Sequence, residues 1–238
     1  METIEEMERL IAQNKSSMVF TPNVQRVVEA QKNKHIKNIY DHADLLLPDG
    51  MPLVWASKIF GNSLKERIAG SDLFPLFCKI SSEKGFKLFF LGAGPGIAKK
   101  AKEVLTNKYP DLKIVGTYSP SRYFGNDLLE IEKIVGIIKE KKPDVLFVGL
   151  GFPKEEHFIS NYKDKYEVPL SIGIGASFDF VAGNIKRAPK WLQNLGLEWF
   201  YRLIREPKRL WQRYLIGNTI FVYLTIMEFF RSKILKRI

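Results

Sequence analysis

The chain has 238 residues, 45% of them apolar, and a formal net charge of +11. That length fits one large domain, or one domain with an appendage, and that apolar content excludes a disordered chain. Cys78 is the only cysteine, which excludes an intrachain disulfide and fits a reducing compartment.

The first residues, METIEEMERLIAQNK, are acidic, and Ile4, Met7, Leu10 and Ile11 recur at helical spacing. No basic segment leads into an apolar core, so they do not read as a signal peptide. A short strand over 17–21 ends at Pro22-Asn23, and helices follow to about residue 32 and from 35 to 43. The stretch 44–55, DLLLPDGMPLVW, reads as a buried strand, a sharp turn at Pro48-Asp49-Gly50 and a helix reaching residue 60.

Ser71 is placed to cap a helix carrying Leu73, Leu76, Phe77 and Ile80, with Gly85 ending it. A strand over 87–91 enters Gly92-Ala93-Gly94-Pro95-Gly96, and a helix over 97–108 leads to a strand over 113–118. A helix over 127–141 precedes a strand over 145–148 and the turn Gly149-Leu150-Gly151-Phe152-Pro153. A helix over 154–162 and a strand over 169–174 complete the series. This alternation predicts an α/β fold, a Rossmann-like, mostly parallel sheet with helices on both faces. The turns near residues 22, 48, 92, 149 and 175 should gather along one edge. Ligands bind at that edge of open parallel sheets.

Strand signals stop after about residue 183, which divides the chain into an α/β core over 1–190 and a helical appendage over 191–238. From Lys186 onward twelve Lys and Arg stand against three Glu, so the last 53 residues hold +9 of the net charge. A cationic tail implies an anionic partner. Arg202, Arg205 and Arg209 share one helix face unless Pro207 bends them apart. Residues 214–230 are mostly apolar but short for a membrane span. With Arg213 before them and Arg231 to Arg237 after, they suit a helix lying on anionic lipid. A core-packed terminal helix with a solvated basic end is the alternative.

Asp49 is either a turn residue capping the next helix or a carboxylate held at the mouth of the sheet. The turn at Gly92 and Gly94 resembles the start of a dinucleotide fingerprint, but Ile97 stands where the last glycine belongs. Thr117, Tyr118 and Ser119 stand where the acidic ribose partner belongs. The turn is therefore a phosphate cradle at a helix N-terminus or simply a tight turn. Gly151 and Lys154 belong to a second such turn, with Glu155 and Glu156 in the first turn of its helix, where the macrodipole favours them. His35, His42 and His157 are scattered, and neither an Asp-x-Asp triplet nor a His/Cys cluster has metal spacing. No metal or other cofactor is expected, and diphosphates would have to be neutralised by Arg, Lys and backbone N–H groups.

Taken in order, Thr21-Pro22-Asn23, Pro48-Asp49-Gly50, the run from Gly149 to Lys154, Gly173-Ile174-Gly175-Ala176-Ser177-Phe178-Asp179 and Lys186-Arg187-Ala188-Pro189-Lys190-Trp191 resemble the WecG/TagA/CpsF family of bacterial glycosyltransferases (glycosyltransferase family 26). The run from Gly196 to Pro207 is similar too. The resemblance implies an inverting, metal-independent transferase that takes a sugar from a UDP donor. The acceptor it implies is a polyprenyl-diphosphate-linked sugar at the inner face of the cytoplasmic membrane, in teichoic acid, capsule or exopolysaccharide synthesis. The enzyme would then be cytoplasmic and peripheral, bound to an anionic membrane surface. Self-association into a homo-oligomer is left open.

By the same resemblance Asp49 is the general base, Thr21 lies beside the same pocket and Glu155 stands at a substrate-lining position, while Asn23, Gly92, Gly94, Gly151 and Lys154 are further candidates for binding the substrate. Arg202 and Arg209 close over the diphosphate, and Arg213 is a weaker match. Two departures stand out. Glu155 replaces the family's usual Gln, adding charge at a substrate-lining position. The short strand that usually precedes the first helix is absent here or was removed. Two other functions fit single features: an NAD(P)-dependent oxidoreductase using the Gly92–Gly96 turn, or a non-enzymatic nucleic-acid-binding module using the basic tail. The tail interleaves its cations with apolar runs, which suits lipid better than nucleic acid.

Overall fold

Each apolar run between glycine-rich turns becomes a strand of one sheet. The computed structural model describes residues 2–194 and 196–235, without the side chains at 194, 209, 212, 213 and 232–235. The strands are β1 (Ser17–Phe20), β2 (Leu45–Leu46), β3 (Lys87–Gly92), β4 (Lys113–Tyr118), β5 (Val145–Gly149) and β6 (Leu170–Gly173). They form a single sheet in the order β2-β1-β6-β5-β3-β4, and every pairing is parallel.

The helices in chain order are α1 (Glu2–Ala12), α2 (Val24–Lys32), α3 (Lys34–Asp41), α4 (Met51–Ile59), α5 (Gly70–Lys84), α6 (Ile97–Lys108) and α7 (Leu128–Lys141). They continue as α8 (Lys154–Tyr166), α9 (Ser177–Val181), α10 (Lys190–Asn194), α11 (Glu198–Arg205), α12 (Pro207–Trp211) and α13 (Gly217–Leu235). The chain divides into two compact units: Met1–Phe20, Asn38–Leu46 and Gly70–Lys186 form the first, and Thr21–Lys37, Leu47–Ala69 and Arg187–Ile238 the second.

The first unit holds the sheet. Strands β1, β5 and β6 are buried throughout, and β3 is buried after Lys87. Parallel strands covered on both faces read as such continuous apolar runs. On one face α5 and α9 close an aromatic core. Phe74 meets Phe90, Phe147 and Phe178 edge-on, with ring centroids 5.2, 4.9 and 5.2 Å apart. Edge-on pairs of this kind add about 0.5–1.5 kcal/mol each beyond burial. On the other face α7 packs on α8. There the buried Tyr166 hydroxyl lies 2.9 Å from the Ser171 hydroxyl, and burial raises the Tyr166 pKa.

Two sequence expectations are corrected in α5. The helix starts at Gly70, so Ser71 is its second residue and not its cap. Its inner face carries Leu73, Phe74, Phe77, Cys78 and Ser81, while Leu76 is 49% exposed. Period-3.6 spacing is satisfied by either stripe, and packing against Phe90 and Phe147 selects the one through Phe74. Burial pushes the Cys78 thiol well up, so it stays protonated.

In the second unit α13 packs against α2. The unit also links Arg67 to Glu198 at 3.5 Å and Arg187 to the same carboxylate oxygen at 3.3 Å. No helix among the described residues is long and apolar enough to cross a membrane.

Candidate active site

The first unit supplies the turns beyond the carboxyl ends of β3, β4, β5 and β6. The Ala93 N–H donates to the Gly149 carbonyl at 2.8 Å. The Ser119 hydroxyl reaches the carbonyls of Gly92 and Gly94, each at 3.2 Å. The expected edge is thus realised for the turns at 92, 149 and 175. Gly92 and Gly149 are register partners, and a Cβ on Gly92 would strike the Gly149 backbone. That close approach accounts for the glycine without a dinucleotide. It removes the main support for the oxidoreductase alternative.

Glu155 is fully buried, at 0% exposure. Its Oε2 accepts from the N–H of Gly151 at 3.2 Å and of Gly175 at 3.0 Å. One carboxylate oxygen therefore ties the turn after β5 to the turn after β6. The neighbouring Glu156 is equally buried and accepts from the Tyr40 hydroxyl at 2.9 Å. Both residues sit in the first turn of α8, where the helix dipole favours negative charge. Lys154 is exposed. Its ammonium donates to the Arg122 carbonyl at 3.0 Å and lies 5.6 Å from the Phe124 ring centre.

The loop that Lys154 holds is braced from the β4 side. Glu130 accepts from the Ser121 hydroxyl and N–H, at 2.5 and 2.8 Å, and from the Tyr118 hydroxyl at 3.3 Å. The Ser121 bonds hold the Glu130 carboxyl below its ordinary range. Burial first, and then the charge of Glu130, raise the Tyr118 phenol.

Thr21, Asn23, Asp49 and Arg202 belong to the second unit. Thr21 is buried and Asp49 half-buried. The Asp49 N–H donates to the Pro22 carbonyl at 2.9 Å, which joins the Thr21-Pro22-Asn23 and Pro48-Asp49-Gly50 turns. Asn23 is the N-cap of α2, accepting from the Arg26 N–H at 3.4 Å. The N-cap of α4 is Gly50, at φ +149, one position beyond Asp49. The Asp49 side chain is thus not at the capping position, and a glycine occupies the backbone conformation that L side chains rarely adopt. On the other side of the turn, the Ile68 N–H donates to the Pro48 carbonyl at 2.9 Å.

That last bond brings in a residue not singled out by its sequence pattern. Arg67 precedes Ile68 and pairs with Glu198, the first residue of α11. The partners lie 131 positions apart, so no local spacing announces them. Arg202 is half-buried on α11, which ends at Arg205. Pro207 opens the separate helix α12, so Arg209 is on a different element from Arg202 and Arg205. The side chains of Arg209 and Arg213 lie outside the described ones. Among the described residues no three His, Cys, Asp or Glu side chains are grouped to hold a metal ion.

The family model described as Glycosyl transferase WecG/TagA/CpsF family matches residues 1–234. The chain is 37% identical, over 205 residues, to an N-acetylglucosaminyldiphosphoundecaprenol N-acetyl-beta-D-mannosaminyltransferase of Bacillus subtilis (strain 168), covering 86% of this chain and 77% of that protein. Proteins with the same name from Bacillus spizizenii and Staphylococcus aureus (strain MW2) are 34% and 31% identical. Those matches cover 85% and 88% of this chain, and 76% and 81% of the relatives.

Proposed function

The chain belongs to the WecG/TagA/CpsF family of glycosyl transferases, and from that premise we propose that it moves N-acetylmannosamine, or a related hexose, from a UDP-sugar to an N-acetylglucosamine carried on a polyprenyl diphosphate. The observation that carries this reading is Asp49, half-buried in a turn tied by backbone hydrogen bonds to Pro22 on one side and Ile68 on the other. A carboxylate held in this way is preorganised to take a proton.

In the proposed reaction the acceptor hydroxyl oxygen attacks the anomeric carbon from the face opposite UDP. The Asp49 carboxylate takes the hydroxyl proton, the C–O bond to UDP breaks, and UDP leaves with the electron pair. The anomeric configuration inverts. Charge developing on the diphosphate requires preorganised positive groups, and such groups stabilise a transition state by several kcal/mol in a water-poor site. Arg67 and Arg202 stand in the same unit as Asp49 and are assigned that task here, without a metal. The proposed site of action is the inner membrane surface. Two features support it: exposed Phe200, Ile204 and Trp211 on α11 and α12, and the concentration of Lys and Arg in the same stretch.

The test is incubation with UDP-N-acetylmannosamine and a short-chain polyprenyl-diphosphate N-acetylglucosamine, with and without chelator. A disaccharide product with inverted anomeric configuration, formed equally with chelator, is expected. Transfer that requires an added metal, or retention of configuration, overturns the mechanism. Transfer only from other donors overturns the substrate assignment.

A further inference from the structure

Helix α4 is apolar on both sides. In its nine residues, MPLVWASKI, Lys58 is the only charge. Val54 is buried, yet Trp55 is 55% and Ile59 54% exposed. These two are four residues apart and share one helix face. The segment beyond adds Phe60 and Leu64, at 36% and 39% exposure. It is folded back by Ser57, whose hydroxyl accepts from the Leu64 N–H at 2.9 Å and donates to the Val54 carbonyl at 2.7 Å. Trp55, Ile59, Phe60 and Leu64 therefore belong to a braced structure and not to a loose loop. A helix apolar all round belongs in an apolar environment on both sides.

We propose that α4 and the segment to Leu64 form a second lipid-contact surface, distinct from the basic tail, which seats on an anionic bilayer surface. Two features select lipid as the occupant. Lys58 follows Trp55 by three positions and Lys65 adjoins Leu64. Trp with flanking Lys is the pairing found at bilayer interfaces: the ring sits at headgroup level, and the lysine stem lies along apolar surface with its ammonium among phosphates. The second feature is position. Helix α4 begins two residues after Asp49, and Trp55 lies about 6 Å from its start at 1.5 Å per residue. Lipid contact along the Trp55–Ile59 face would therefore keep the Asp49 turn close to the bilayer surface, where a lipid diphosphate lies. The inference rests on the lipid-surface part of the proposed function but not on the identity of the sugar.

The experiment uses the full chain and W55S/I59S, both exposed positions outside the assigned site, with vesicles of phosphatidylglycerol and phosphatidylethanolamine carrying brominated acyl chains. Wild-type tryptophan fluorescence should be quenched on binding. W55S/I59S should partition about tenfold more weakly, as removal of two interfacial apolar side chains implies. The same variant should transfer sugar normally to a water-soluble short-chain acceptor and poorly to one embedded in the vesicle. A K58Q/K65Q variant should bind phosphatidylglycerol vesicles more weakly than the wild type and keep only the part of the phosphatidylglycerol dependence that the basic tail supplies. Unchanged partitioning of W55S/I59S overturns the proposal, and so does a wild-type dimer that dissociates in W55S/I59S while vesicle binding persists. Partitioning is read without catalysis, so a chain that binds vesicles through Trp55 but transfers no sugar refutes the proposed reaction and leaves this surface standing.

Discussion

The backbone N–H of Asp49 donates to the carbonyl of Pro22 at 2.9 Å. The bond uses main-chain atoms only, so changing the Asp49 side chain leaves the joined turns in place. D49N should therefore fold like the wild type and bind UDP with unchanged affinity. Its kcat should fall by about 10²–10⁴, the usual contribution of a general base. Steady-state kinetics alongside UDP titration by calorimetry checks both halves. Near-normal turnover in D49N would remove the base assignment.

Glu155 separates two roles that sequence comparison merges. A single oxygen of its carboxylate accepts both glycine N–H groups. The carbonyl oxygen of a glutamine can do the same, so E155Q should keep the bridge between the β5 and β6 turns. E155A leaves two N–H groups without that acceptor, each costing about 1–3 kcal/mol. Urea denaturation should rank wild type and E155Q close together and E155A well below. Comparable losses in both variants would mean that the charge is required, and that the bridge alone does not explain Glu155.

Arg67, Arg187 and Glu198 give a test that needs no substrate. Their side chains are 14–23% exposed, and one oxygen of Glu198 serves both guanidinium groups. Contacting charges of this kind are coupled, typically by about 0.5–3 kcal/mol. The double-mutant cycle of R67A and E198A, read by chemical denaturation, should be non-additive within that range. Additive losses would show that Arg67 is held by other partners.

Glu130 gives the loop after β4 a defined pH response. Its folded carboxyl is held below the ordinary value, chiefly by Ser121. A depressed carboxyl contributes stability above its unfolded pKa, about 4.3, and loses it as the pH falls through the folded value. The stability difference between wild type and E130Q should thus be constant near neutrality and shrink toward acid pH. The group is largely exposed, so the effect is small. Thermal melts between neutral and acid pH measure it. A difference that grows on acidification would contradict the assignment.

Local periodicity made much of the first unit legible. The helix over 97–108 and the strand over 113–118 agree with the sequence expectation to the residue, because each is bounded by glycine, proline or charged breakers. The Pro48-Asp49-Gly50 turn was legible as a turn, since it interrupts an apolar run. What was hidden is of two kinds. The helix α8 runs to Tyr166 rather than 162, because its last turn is secured by the buried Tyr166 packing on Phe158. The partners of Glu155 and of Arg67 arise between distant turns, and such hydrogen bonds and ion pairs leave no period in the sequence. The break at Glu206 was half legible: Pro207 announces it, but only the backbone separates Arg209 from Arg202 and Arg205.

The second unit is assembled from three separated lengths of chain, and its α2 at residues 24–32 finds its partner in α13 at residues 217–235. This has a consequence for biosynthesis. A ribosome releases the turns that carry Thr21 and Asp49 well before the helices after residue 187 that complete their unit. Long-range contacts of this kind form slowly, because the intervening loop must first be closed. Residues 21–37 and 47–69 must therefore wait for α11 to α13 until residues 187–235 have been made, which leaves this half of the molecule exposed to chaperones and proteases for longer. A carboxy-terminal truncation would reproduce that waiting state permanently: removing residues 196–238 takes away the packing partner of α2 as well as the basic tail.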